Sequence, residues 1–320
     1  MVKLTGTMKQ FRKMRGLFGA LNVDGIEFYP SVTRGNRFFV DSVNGASTNS
    51  GKSPAEAITT LDAAFALCTA NNGDIIYVMP KHSETITGAG GIAHDVAGVS
   101  VIGLGQGGQR PTFLMDGATT VTYAITAADA YIENLVFVSG HSNVVACITT
   151  TKADTAIVSC EFRNNTTNED FLTPIKATST TTGDCDGLRV EDCRWVTIDT
   201  DDLEFIEING TCDRVRITGN FVHNMGTASP LILVATGKIL TGTEIGWNML
   251  SNRMTANELF LSNDGTTNTG IVHNNYVGHA DVTGAHDAGW EAGGWRLFNN
   301  LSVSTDALSG FPLPAIDVNL

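Results

Sequence analysis

The sequence predicts an all-β chain: a right-handed, single-stranded parallel β-helix with an N-terminal capping α-helix and an N-terminal arm. Three observations lead to that class. A short pattern, Φ-x-x-[Leu/Cys/Asn]-x-Φ with Φ apolar, recurs along most of the 320 residues. The repeat interval stays within the 20–50 residues that signal a solenoid. Charged residues make up only 17% of the chain, and Gly, Thr, Asn and Ser fill the places that helix formers would take.

The fourth position of the pattern runs through Met79, Leu104, Leu135, Cys160, Cys193, Asn220, Asn248, Asn275 and Asn300, at gaps of 25, 31, 25, 33, 27, 28, 27 and 25 residues. Asn220 and Val222 are two apart and share a strand face. Ile217 and Asn220 are three apart, so a bend must lie between them if both point inward. A coil of strand, bend, strand, turn and strand uses about 25 residues at roughly 3.3 Å per strand residue. Stacked coils of that kind bury one continuous core. Cys160, Cys193, Asn220, Asn248, Asn275 and Asn300 are then a structural ladder inside one bend, where each Asn amide needs partners. The plainer reading is that Asn simply favours turns.

The segment 53–72 predicts the one clear helix. Ser53 suits the N-cap, Pro54 the first helical position, and Glu56 completes a capping box. Ile58, Leu61, Ala64, Phe65 and Cys68 form the apolar stripe, and Asn72-Gly73 the stop. Directly before the first coil strand, this helix is placed to cover the open end of the stack. Coils, about nine, are expected over 74–303, with a loop and the helix at 41–73 and a tail at 304–320.

Charge is uneven. Residues 1–40 carry seven basic groups against two acidic ones, +5, so the remainder of a chain with net charge −13 carries −18. Leu4, Met8, Phe11, Met14 and Phe18 follow helical spacing. Three readings compete for this arm: docking on a protein partner, a membrane-surface helix, or a disordered terminus. Docking is favoured, with Lys3, Lys9, Phe11, Arg12, Lys13 and Arg15 as the anchor. No stretch approaches the ~20 apolar residues of a membrane span, and no apolar leader of secretory type opens the chain.

Six cysteines hold no C-x-x-C pair, which gives zinc little support. Cys185 and Cys212 both precede Asp at equivalent points of adjacent coils and could bridge. The plainer expectation is reduced, buried thiols in a chain assembled in a cytoplasm.

The segment FFVDSVNGASTNSGKSPAEAITTLDAAFALCTANNGDIIYVMPKHSETI, residues 38–86, resembles the opening of β-helix virion proteins of tailed bacteriophages. The matching residues are Asp41-Ser42-Val43-Asn44-Gly45, Ser53-Pro54 and Gly73-Asp74-Ile75-Ile76-Tyr77-Val78. The broader likeness is to the pectate-lyase-like superfamily. This resemblance implies a head decoration, head fibre or tailspike, usually a homotrimer. It implies location in the virion, with the arm on the major capsid protein or another virion protein. Fold alone does not choose among these.

Two clusters carry possible chemistry. Asp199, Asp201, Asp202 and Glu204 could bind calcium or supply a hydrolase acid pair; a solvated acidic turn is the plainer reading. His279, Asp281, His286, Asp287 and Glu291 share a Gly-rich stretch with Trp290 and Trp295, which could take a metal or stack on a host glycan. His223 reads as a surface or interface residue. No catalytic residue, metal or cofactor is assigned, and no acid pair on adjacent coils is expected. Nucleic acid is disfavoured by the acidic body, and Gly103-Leu104-Gly105-Gln106-Gly107-Gly108 lacks the Lys-Ser/Thr of a phosphate loop. The expected function is a non-enzymatic capsid decoration; the alternative is a tailspike-like protein that binds or depolymerises surface polysaccharide.

Overall fold

A computed structural model describes residues 21–23, 26–28, 35–179, 181, 183–226, 229–251, 261–262, 267–279, 294–304 and 311–312. The chain is a parallel β-solenoid. Seven coils, from Ile75–Val78 to Leu261–Ser262, each give one strand to each of three sheets. Among the described residues, two further coils add Gly270–His273 and Trp295–Phe298 to the first sheet and Tyr276–His279 and Leu301–Ser304 to the second. A final strand, Phe311–Pro312, pairs antiparallel with Leu301–Ser304.

Parallel register stacks like residues. On the first sheet Ile76, Val101, Ile132, Ile157, Val190, Ile217, Ile245 and Val272 pair in turn and are all fully buried. On the second, Phe113, Phe137 and Phe162 stack at centroid distances of 5.8 and 5.6 Å. Their column continues into Trp195, which stacks on Phe205. This continuous apolar interior is the main stabilising term.

The bend between the first two sheets is made by one residue in the left-handed region. It is Asn134, Ser159, Asp192, Gly219, Trp247, Asn274 or Asn299 in seven successive coils, with φ between 52° and 72°. Asn, Asp and Gly tolerate that conformation best. Each immediately precedes a ladder residue and turns it inward.

The predicted helix over 53–72 is not continuous. Pro54–Glu56 is a single 3-10 turn, and the α-helix is only Leu61–Phe65. Ser53 makes no side-chain cap; Thr60 caps instead, accepting from Ala63 N. The cause is tertiary. Ile58 donates to Phe39 O and accepts from Asp41 N, each at 2.8 Å, so the chain is drawn into a strand-like bridge with Val40. Leu61, Ala64 and Phe65 still face the core and cover its end.

Cys185 and Cys212 correct the expectation of reduced thiols: they form a disulfide between adjacent coils, with Cα atoms 5.3 Å apart. Cys68, Cys147, Cys160 and Cys193 are free.

Candidate functional site

The ladder positions are interior. Leu104, Leu135, Cys160, Cys193, Asn220, Asn248, Asn275 and Asn300 are all buried, and Met79 is partly buried at the top. Asn220 donates from its backbone N and its Nδ2 to Asn248 Oδ1, at 3.0 and 2.9 Å. Asn248 does the same to Asn275, and Asn275 to Asn300, at the same distances. Each amide also donates to a first-sheet carbonyl, among them Val190, Ile217, Ile245 and Val272. The ladder is therefore satisfied within the chain and presents nothing to a ligand.

Among the described residues, two places differ from the rest. The first is the outward row of the second sheet. Where the early coils place Glu161 and Arg194, the later coils place Phe221, Met249, Tyr276 and Leu301, in direct register. All four are 39–47% exposed. Trp247 (64% exposed) and Phe298 (50%) extend the row around the bend. The apolar run spans four coils, roughly 14 Å at the usual strand spacing. Trp247 holds φ 60°, a position that costs a bulky residue about 1–2 kcal/mol. His273 lies between Trp247 and Phe298, edge-on to the first and stacked on the second at 5.0 Å. Its Nε2 faces Glu244 Oε1 at 3.3 Å, and Arg216 Nε donates to Glu244 Oε2 at 2.9 Å. Gly246 leaves room for this packing, since a Cβ there would sit 2.6 Å from His273 Nε2.

The early half of the same face is closed by charge. Glu161 accepts from Arg110, Arg163 and Arg194 at 2.8–2.9 Å. Burial pushes its carboxyl up, but the Arg163 bond and the charges of the three guanidinia outweigh it and hold Glu161 below the usual range. Arg194 also lies over the Phe221 ring, 5.8 Å from its centroid, where the charged half meets the apolar one.

The second place is the corner between the second and third sheets. The acidic turn 199–204 is not simply solvated. Asp201 is exposed and Asp199 half-buried, but Asp202 and Glu204 are buried. Asp170, from the preceding coil, joins them and is 1% exposed. Burial pushes Asp202 up to about 7, helped by the charges of Asp170 and Asp199 and opposed by bonds from Thr197 and Asn164. Burial and the charges of Asp199 and Asp201 likewise raise Asp170. Burial and Glu207 raise Glu204. An acid pair on adjacent coils thus exists, against expectation, because parallel stacking brings Asp170 onto the Asp202 turn. Both side chains of the pair are buried, Asp170 at 1% and Asp202 at 0% exposure. Among the described residues, no three His, Cys, Asp or Glu side chains are arranged to hold a metal by themselves.

Trp295 was grouped with the loop tryptophans by sequence, but it is a buried strand residue of the first sheet, placed there by pairing with Gly270. His223 is half-buried and hydrogen-bonded to Ser251 Oγ at 2.8 Å. His279 ends the strand Tyr276–His279. His286, Trp290 and the anchor residues Lys3, Lys9, Phe11, Arg12, Lys13 and Arg15 lie outside the described residues. The apolar row was missed by sequence, although its signal exists: the residue after each ladder Asn is apolar in all four cases. Asp170 carries no such signal.

No family model and no curated protein matches this chain. Solved structures similar to it include Geobacillus virus E2 ORF18, at 9% identity, covering 76% of this chain and 57% of that one, with a TM-score of 0.38. Native GH136 lacto-N-biosidase from Eubacterium ramulus is 11% identical over 83% of this chain and 68% of that one, with a TM-score of 0.37. A rhamnogalacturonan lyase is 12% identical over 77% of this chain and 69% of that one, with a TM-score of 0.38. The chain thus spans little more than half the length of the Geobacillus virus protein.

Proposed function

We propose that this chain is a non-enzymatic structural protein of a bacteriophage particle, a rigid rod that associates side by side with copies of itself. One observation carries the association: the exposed row Phe221, Met249, Tyr276 and Leu301, with Trp247 and Phe298 beside it. A contiguous apolar patch rimmed by polar groups is the mark of a contact surface, and a Trp at a left-handed bend that the other coils give to Asn, Asp, Ser or Gly costs stability that one of those residues would spare. The phage setting rests on the resemblance of residues 38–86. Capsid decoration, three copies per assembly, and attachment of the basic arm to the major capsid protein or another virion protein belong to this reading. The burial of both Asp170 and Asp202 speaks against a hydrolase.

A second reading has its own observation. Trp247 and Phe298, on either side of His273 with Glu244 and Arg216 behind it, combine stacking faces with hydrogen-bonding groups, as a tailspike-like glycan receptor would. Sedimentation separates the two. The full chain is expected to run at three times 33.9 kDa, and the double variant Met249→Glu/Tyr276→Glu as a monomer with unchanged circular dichroism. A monomeric wild type that binds host polysaccharide through Trp247 would reverse the order of the readings.

A further inference from the structure

The corner between the second and third sheets holds an imbalance that the fold does not resolve. Asp170 accepts from Asn143 N through Oδ1 at 2.8 Å, while its Oδ2 is buried with no donor. Asn164 Oδ1 is buried with no donor as well. Asn164 Nδ2 reaches both Asp202 oxygens, but only at 3.3–3.4 Å. Asp199 and Asp201 stand at the rim and add negative charge. Among the described residues, none of these four acids takes part in an ion pair with Lys, Arg or His. The neighbouring charged site is built the other way, with three guanidinia around Glu161.

Buried oxygen atoms without donors cost free energy, and two carboxylates sharing a site cannot both stay ionised without compensation. We propose that this corner binds one divalent cation of the calcium class, held by Asp170 Oδ2, the Asp202 carboxylate and the Asn164 amide oxygen across two adjacent coils. Calcium accepts mixed carboxylate, amide, carbonyl and water oxygens in irregular geometry, whereas magnesium demands near-octahedral order. Two carboxylates and one amide leave the remaining positions to water. The bound ion would join the turn 164–170 to the turn 197–202, where the coils lack strand pairing. It would act as a structural clamp rather than as a reaction centre.

The test uses the full chain, stripped with EDTA and dialysed. Calorimetric titration with calcium chloride is expected to give one site per chain. Calcium is expected to raise the melting midpoint by several degrees over EDTA, and more than magnesium at equal concentration. Asp170→Asn and Asp202→Asn should each weaken binding at least tenfold, while Asp95→Asn, at an exposed acid elsewhere, should leave it unchanged. If either corner variant fails to fold, the wild-type midpoints in calcium, magnesium and EDTA still decide. A wild type with no titration heat and equal midpoints means a corner filled by water or a shared proton and overturns the proposal. Binding that survives both substitutions overturns it too.

Discussion

Asn248 Oδ1 accepts two hydrogen bonds from Asn220, one from its backbone and one from its side chain, at 3.0 and 2.9 Å. The relationship repeats down the column, so each Asn completes the coil before it. Asn248→Ala removes the acceptor for both Asn220 donors and the donor to Ile217 O. It is expected to destabilise the chain by on the order of 2–4 kcal/mol, since buried partners left unpaired cost more than the bond itself contributed. Hydrogen exchange at the Asn220 amide should accelerate first, because solenoids open locally. An unchanged exchange rate there would contradict the ladder's structural role.

The disulfide gives a chemical prediction. In denaturant without reductant, Cys68, Cys147, Cys160 and Cys193 should alkylate, and Cys185 and Cys212 only after reduction. The bond closes a loop of 27 residues in sequence. Chain entropy would then contribute at most about 3–4 kcal/mol, so Cys185→Ser should lower the unfolding midpoint measurably. Six alkylated thiols without reductant would show that the pair stays open in the purified chain.

His94 sets a pH dependence near the covered end of the stack. It is fully buried, its ring tilted against Phe65 at a centroid distance of 4.5 Å, with Nδ1 3.2 Å from the Tyr123 hydroxyl. Burial lowers its pKa from the ordinary 6.5 to about 4. Between those values the unfolded chain binds the proton and the folded one does not, so stability falls as pH falls from 6.5 to 4. The loss is on the order of 3 kcal/mol across the window. Urea melts at pH 7 and pH 4.5 measure it, and His94→Phe is expected to shrink the difference between them.

The arm is tested by deletion. Without residues 1–30 the chain is expected to keep its β-sheet circular dichroism and lose attachment to the particle, read by co-sedimentation with purified heads. Attachment that survives the deletion would remove Lys3, Lys9, Phe11, Arg12, Lys13 and Arg15 from the proposed anchor.

The ladder is legible in sequence because one side chain per coil must lie inside a bend, at an interval that shifts little. The acidic corner is not. Asp170 lies six residues past Asn164, outside the repeat, and meets the Asp202 turn only because Glu161 pairs with Arg194, 33 residues on. The capping helix was half legible. Its apolar spacing identified Leu61, Ala64 and Phe65, but nothing local announces that Ile58 will bond to Phe39 and Asp41 and cut the helix short.

What the chain determines by itself is the coil: its length, its inward residues and its bends, because these depend on strand periodicity and on residues that tolerate a left-handed turn. What only the tertiary structure decided is which residues of different coils become neighbours. The Cys185–Cys212 bond, the Asp170–Asp202 corner and the apolar row from Phe221 to Leu301 all arise from stacking register. Register is set by the fit of the whole core, and no single segment contains it.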